Sequence, residues 1–171
     1  GKTFRHQRFE PYKATREKAP EEMTAQLDWM REVVLGHGVP LYEVPGFEAD
    51  DVIGTLAVQG AAQGHEVLIV TGDKDFMQLV GPHVKLYNVF KRNEEVVIED
   101  EAAVREKFGC PPERVVDVLA IMGDSSDNVP GVKGIGEKGA IELIAEFGSV
   151  QGLLAGLGRV KGKKSELIAT Q

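Results

Sequence analysis

The chain has 171 residues, 42% of them apolar, a single cysteine and a formal net charge of −7. That apolar share excludes a disordered or fibrous chain and suffices for one domain with a substantial core and a smaller appendage. Cys110 alone rules out an internal disulfide, no Cys/His cluster offers a zinc site, and no apolar run is long enough for a membrane span or a signal peptide; a soluble, cytoplasmic, reduced setting is expected.

In chain order, residues 1–18 carry six Lys/Arg against Glu10 and Glu17, and the lack of an initiator Met before Gly1 reads as N-terminal truncation. Pro20, Glu21 and Glu22 form a helix start, and Met23, Leu27, Met30 and Val34 recur at helical spacing until Gly36. Residues 39–44 read as a strand, 50–63 as a helix closed by Gly64, and 66–71 as a second strand. Strand, helix, strand is a βαβ unit, which makes its two strands parallel. Short strands are expected at 83–89 and 95–98, joined by the polar residues 91–94. Asp100 can cap a helix that runs to Phe108. Pro111 and Pro112 open another, apolar around most of its circumference at Val115, Val118 and Ile121, and therefore buried. Glycines then become dense from Gly123 to Gly139, ahead of two helical patterns at Ile141, Ile144, Phe147 and at Val150, Leu153, Leu157. The fold expected is α/β: a mainly parallel central sheet flanked by helices, followed by a helical region.

Three acidic groups punctuate this layout: Glu48, Asp50 and Asp51; Asp73 and Asp75; Asp124 and Asp127. The first two follow strands that the βαβ reading makes parallel, so both are expected at the carboxyl edge of the sheet, where open α/β sheets hold their sites. Without these seven the acids and bases of the chain would balance. Seven crowded carboxylates repel one another unless cations neutralise them, and an all-oxygen set selects hard ions such as Mg²⁺ or Mn²⁺. Two such ions can activate a water and clamp a phosphate. Each group taken singly is better explained by helix capping or turn formation; together they point to a metal site.

The basic ends, +4 over residues 1–18 and +4 over 159–164, flank a remainder carrying −15. By itself that pattern is better read as surface scatter than as a polyanion grip. Within the first stretch, Phe4, Phe9 and Tyr12 alternate with Arg5, Arg8, Lys13 and Arg16, a composition suited to single-stranded nucleic acid. Phe4 and Phe9 are expected in the core, with Tyr12, Lys13 and Arg16 as the contacts. Gly131 to Lys138 places glycines around Ile135 before a helix, so its N–H groups can cradle an anion with Lys133 and Lys138 beside them; a tight structural turn is the plainer alternative. The four histidines are scattered and suggest no site.

Taken together, Phe4-Arg5, Tyr12-Lys13 with Arg16, the Glu48 to Asp51 group, Thr71-Gly72-Asp73 with Asp75, Gly123-Asp124 with Asp127-Asn128, and Gly131 to Lys138 resemble the flap endonuclease, or 5′ nuclease, family, its bacterial polymerase-linked members first and phage enzymes behind them. The resemblance runs along essentially the whole chain. It implies two divalent ions, Mg²⁺ or Mn²⁺, one served by Glu48, Asp50, Asp51 and Asp73 and the other by Asp75, Asp124 and Asp127, with the division left open. Lys13 and Arg16 would lie in a helical arch and touch the scissile phosphate, Tyr12 would stack on a base, and Arg5 would contact DNA. Lys133, Gly134, Gly136 and Lys138 would belong to a helix-hairpin-helix element that grips duplex backbone and in relatives binds K⁺. The implied division is an α/β nuclease core over 1–122, lacking its first strand and with 1–18 in the arch, and a helix-hairpin-helix region over 123–171. The implied reaction is 5′-to-3′ exonuclease and flap cleavage of DNA near junctions of single and double strands, in replication and repair, leaving a 5′-phosphate. The expected partners are that DNA and a covalently linked polymerase domain; a monomer and no membrane are expected.

Departures bear on this reading. Two aspartates of the family precede Gly1 and are absent from the chain, so a DNA-structure binding fragment without catalysis is the alternative, and a related RNase or phosphatase a third. Gly139 replaces a family threonine after the hairpin lysine, which weakens the start of that helix by up to about 1 kcal/mol.

Overall fold

The computed structural model describes residues 2–89, 97–160 and 162–169, the side chains of Val97 and Lys163 apart. The expected connection at 91–94, the start of the strand expected at 95–98, and Lys161 lie outside them. In chain order come α1 (Phe4–Arg8), α2 (Glu21–Gly36), α3 (Ala49–Ala62), β1 (Val67–Val70), a 3₁₀ turn (Lys74–Leu79), β2 (Val84–Asn88), β3 (Val97–Glu99) and α4 (Glu101–Phe108). A 3₁₀ turn (Pro112–Arg114) then leads into α5 (Val115–Met122), followed by α6 (Glu137–Phe147), α7 (Val150–Ala155), a last 3₁₀ turn (Leu157–Arg159) and α8 (Lys163–Ala169).

The architecture is α/β, with a small mixed sheet in the order β1-β2-β3. β1 and β2 run parallel with Val67 opposite Val84, and β3 returns antiparallel with Leu86 opposite Glu99. The core lies where β2 meets the helices that follow: Leu86, Val104, Phe108, Val115 and Val118 are fully buried. Helix starts and stops follow local chemistry. Asp100 accepts the Ala102 and Ala103 amides at the head of α4, and Gly109 ends it at φ +62°, a left-handed turn that costs glycine nothing.

Two expectations need correction. Residues 39–44 are not a strand. Their side chains are exposed, Tyr42 at 64%, and among the described residues no strand pairs with them; β propensity without a ladder partner does not make a strand. The parallel pair is instead β1 and β2, joined through the 3₁₀ turn at Lys74–Leu79 rather than through a helix. Helix α2 forms as its periodicity requires, yet none of its residues is buried, and Trp29 and Met30 are 68% and 60% exposed.

One backbone crossing holds the sheet side to the helical side. Gly123, at φ +74°, ends α5 so close to Gly131 that a Cβ there would meet the Gly131 nitrogen at 2.2 Å, and one on Gly131 would meet the Met122 carbonyl carbon at 2.3 Å. Val132 N–H donates to Ile121 O across the same contact. Gly123→Ala should therefore lower stability by about 3 kcal/mol, since both the positive φ and the backbone contact oppose a side chain. Gly36→Ala, at an open helical position, should instead raise it by up to about 1 kcal/mol. Urea unfolding of the two variants checks the contrast.

Candidate metal centre

Each acidic group reaches the site by its own local chemistry. Helix α3 lies against β1 with Gly60 beside Val67 and Gly54 beside Leu79, so its N-terminus points to the end of the sheet where β1 stops. Glu48, Asp50 and Asp51 sit at that N-terminus, and the Asp51 carboxylate accepts the Glu48 amide at 3.0 Å, a favourable place for negative charge. Past β1, the Thr71 hydroxyl accepts the Asp73 amide, and Asp73 Oδ1 accepts the Asp75 amide at 2.9 Å to start the 3₁₀ turn that buries Phe76 and Met77. Past α5, Asp124 and Val129 exchange both backbone hydrogen bonds, and Asp124 Oδ1 accepts the Ser126 and Asp127 amides. The plain structural roles of Asp73 and Asp124 are thus real, and each uses one carboxylate oxygen, leaving the other.

The structure brings the seven together. A cavity of about 600 Å³ is lined by Glu48, Asp50, Asp51, Asp75 and Asp127, a neighbouring one shares Asp75 and Asp127 with it and adds Asp124, and a third joins Asp73 to Asp124. Burial, then repulsion from Asp73, pushes the Asp75 pKa up, with Asp124 and Asp127 adding to it. Burial likewise raises Asp50, again with Asp73 first among the charges, then Glu48 and Asp51. The three segments are therefore in electrostatic contact. Asp75 Oδ1 and Asp127 Oδ1 are buried without a hydrogen-bond partner.

The N-terminal stretch supplies the opposing charge. Arg5 holds Asp51 through two bonds of 2.7 Å, Lys13 Nζ lies 2.8 Å from Glu48 Oε2 and 3.7 Å from Asp127, and Arg16 lies 3.1 Å from Asp127 Oδ1 without hydrogen-bond geometry. The Arg5 hydrogen bonds depress the Asp51 pKa. Burial opposes ionisation of Glu48, but the hydrogen bonds from Lys13 and Tyr12 outweigh it and hold its pKa low. The Tyr12 phenol, 3.0 Å from Glu48 and 2.9 Å from Asp127, has one proton for two acceptors, and burial followed by those carboxylates pushes its pKa up.

This corrects the expected split of aromatic roles. Tyr12 is the buried ring, 7% exposed and without a free face for a base, whereas Phe9 is exposed and Phe4 half-buried against Phe47. Tyr12 alone of the three carries a hydroxyl able to reach carboxylates, which is what draws it inward. In the hairpin, Ile135 is buried while Lys133, Gly134, Gly136 and Lys138 are exposed, with Gly134 at φ +86°. No task follows from sequence alone for Asn128, yet its amide donates to Pro11 O at 2.7 Å; an Asn beside the acids is only a faint sign of a left-handed turn.

The donor set fits hard divalent ions in kind, since it is all oxygen and two of its buried oxygens lack a hydrogen-bond partner. Among the described residues no three His, Cys, Asp or Glu are arranged as a ligand sphere, and Arg5, Lys13 and Tyr12 engage Asp51, Glu48 and Asp127.

Known proteins show the family. The model of the 5′-3′ exonuclease N-terminal resolvase-like domain matches residues 1–109, and that of the 5′-3′ exonuclease C-terminal SAM fold matches residues 110–171. DNA polymerase I of Bacillus caldotenax is 44% identical over 162 residues, 95% of this chain, and the thermostable DNA polymerase I of Thermus filiformis is 48% identical over 159 residues, 93% of this chain. The chain spans 18% of the length of each. Among solved structures, T5 5′-exonuclease with divalent zinc ions bound superposes with a TM-score of 0.78 at 25% identity, covering 98% of this chain and 64% of that one. A T5 flap endonuclease variant in complex with DNA and metal ions gives 0.77 at 25% identity, with the same 98% and 64% coverage. The catalytic core of Rad2 with DNA gives 0.62 at 21% identity, covering 97% and 51%, which speaks for the fold alone.

Charge compensation sets a stability test. Asp75 has a raised pKa in the folded state, so its ionised form costs stability above that pKa and the cost disappears in acid. Asp51 has a depressed one, so its stabilisation is present above the ordinary carboxylate range and lost as pH falls through the folded value. At neutral pH without divalent ions, Asp75→Asn should raise stability by up to about 1 kcal/mol and Asp51→Asn should lower it by about 1 kcal/mol. Calorimetric melting across pH checks both signs.

Proposed function

Since the chain belongs to the 5′-3′ exonuclease family, we propose that it is the nuclease portion of a structure-specific enzyme that hydrolyses DNA near junctions of single and double strands, as a 5′-to-3′ exonuclease and flap endonuclease. Supporting this is one observation above the others: seven carboxylates from three separate segments meet beside Arg5, Lys13 and Arg16.

Glu48, Asp50, Asp51 and Asp73 would hold one divalent ion and Asp75, Asp124 and Asp127 a second, with Mg²⁺ or Mn²⁺ favoured by the hard oxygen donors. Such ions, when bound, activate water and stabilise the charge on the leaving oxygen. Lys13 and Arg16 lie on the same side as the acids, and the Arg16 side chain is 55% exposed, so both can turn to a phosphodiester once the carboxylates are otherwise neutralised. Asp73 and Asp124, each fixed through one oxygen by turn amides, keep the donor positions preorganised. In the hairpin, exposed Lys133 and Lys138 flank a backbone anchored by buried Ile135, which suits phosphate contacts on duplex DNA and carries no base readout.

A second reading, a DNA-structure binding element without catalysis, is favoured by the engagement of Asp51, Glu48 and Asp127 by the chain's own Arg5, Lys13 and Tyr12. The full-length protein carrying this chain should cleave a labelled 5′-flap DNA with Mg²⁺ and not with chelator, and Asp124→Ala should slow single-turnover cleavage by about a hundredfold or more. Cleavage indifferent to Asp124→Ala would remove the metal assignment. Tight flap binding with no cleavage would leave the binding reading standing.

A further inference from the structure

The stretch that brings Lys13 and Tyr12 onto the acids is held in an unfavourable backbone conformation. Among the described residues only Lys13 (φ +55°) and Asn128 (φ +56°) adopt positive φ without being glycine. Asparagine tolerates the left-handed region because its side-chain amide can bond locally; a lysine side chain cannot, and only the turn bonds from Ala14 N–H to Pro11 O and from Arg16 N–H to Lys13 O close around Lys13 locally. In an extended chain, neighbouring side chains point to opposite sides. The left-handed turn at Lys13 lets the Tyr12 phenol and the Lys13 ammonium both reach Glu48 Oε2, with the ammonium 4.9 Å from the Tyr12 ring centroid.

Besides the bond from the Tyr12 phenol to Asp127, two hydrogen bonds that involve the backbone cross between this turn and the loop of the third acidic group. Lys13 N–H donates to Asp127 O at 2.9 Å, and the Asn128 side-chain amide donates to Pro11 O at 2.7 Å. Since a carbonyl only accepts, the Asn128 nitrogen must face Pro11. Each of the two left-handed residues thus takes part in one bond of a reciprocal clasp. A strained conformation persists where the surroundings over-determine it, and the clasp does so here together with the turn bonds and the side-chain contacts to Glu48 and Asp127.

We propose that Asn128 is a positioning residue: its amide, through Pro11 O, locks the Pro11–Lys13 turn onto the Asp124–Val129 loop and thereby sets the Lys13 ammonium at the carboxylates. The proposal rests on the nuclease reading only for its kinetic consequence. The geometric consequence stands by itself.

Asn128→Gly keeps the left-handed backbone accessible and removes the donor. Asn128→Asp keeps size and turn preference and also removes the donor, so a folding defect in one variant leaves the other as the test. In the metal-free full-length protein, tryptic cleavage after Lys13, measured by mass spectrometry against cleavage after exposed Lys133, should rise about tenfold in both variants. On a 5′-flap DNA under single-turnover conditions, each variant should lose about tenfold in rate, but less than about twofold when built into Lys13→Ala, since the effect passes through that lysine. Unchanged protection at Lys13 overturns the proposal, and so do equal rate losses in the two backgrounds. If the unsubstituted protein cleaves no flap at all, the nuclease reading fails while the proteolysis arm still decides the clasp.

Discussion

Everything in the site depends on electrostatic compensation. Seven carboxylates crowd one surface, and burial together with mutual repulsion already lifts the pKa values of Asp50 and Asp75. Such a cluster is tolerable because Arg5, Lys13 and Arg16 offset part of its charge and the Tyr12 hydroxyl bridges two of its members. The compensation is incomplete by design of the chain itself: Asp75 and Asp127 each keep a buried oxygen with no hydrogen bond. A surface that holds buried carboxylate oxygens next to its own cations is suited in kind to hard divalent ions.

The fold serves this cluster with three different devices. A helix N-terminus presents the first group, the end of a parallel strand the second, and a closed loop after a buried helix the third. Two of these are rigid because one oxygen of Asp73 and one of Asp124 are committed to backbone amides. The contact of Gly123 with Gly131 then ties the third device to the hairpin that carries the exposed lysines. The acidic loop and the glycine hairpin are thereby joined by a contact that has no room for a single methyl group.

Residues 4–16 acquire a double character from this geometry. They are the internal counter-charge of the acids and, by composition, the part of the chain best suited to a nucleic-acid strand. Tyr12 shows the consequence most clearly, since the hydroxyl that makes it amphipathic also draws it into the site and away from solvent. The same surface can serve DNA only by giving up some of these internal contacts.

Much of this was legible in the sequence, for identifiable reasons. Helices α2 to α5 follow from periodicity, caps and glycine stops, which are local and act over one turn. The acidic groups announced themselves jointly, because capping and turn formation explain each group singly but not three such groups in one chain, and the family resemblance follows from the order of its motifs. The strand expected at 39–44 failed because a strand exists only beside a partner, and no local pattern reports whether one is there. The burial of Tyr12 rather than Phe9, the left-handed turn at Lys13 and the clasp through Asn128 were equally out of reach, because each depends on groups more than a hundred residues away in the chain. Composition and spacing by themselves therefore determined which side chains are the candidates for the chemistry; tertiary structure alone decided which of them touch, since charge pairing and backbone strain are settled by distances in space that the order of residues does not contain.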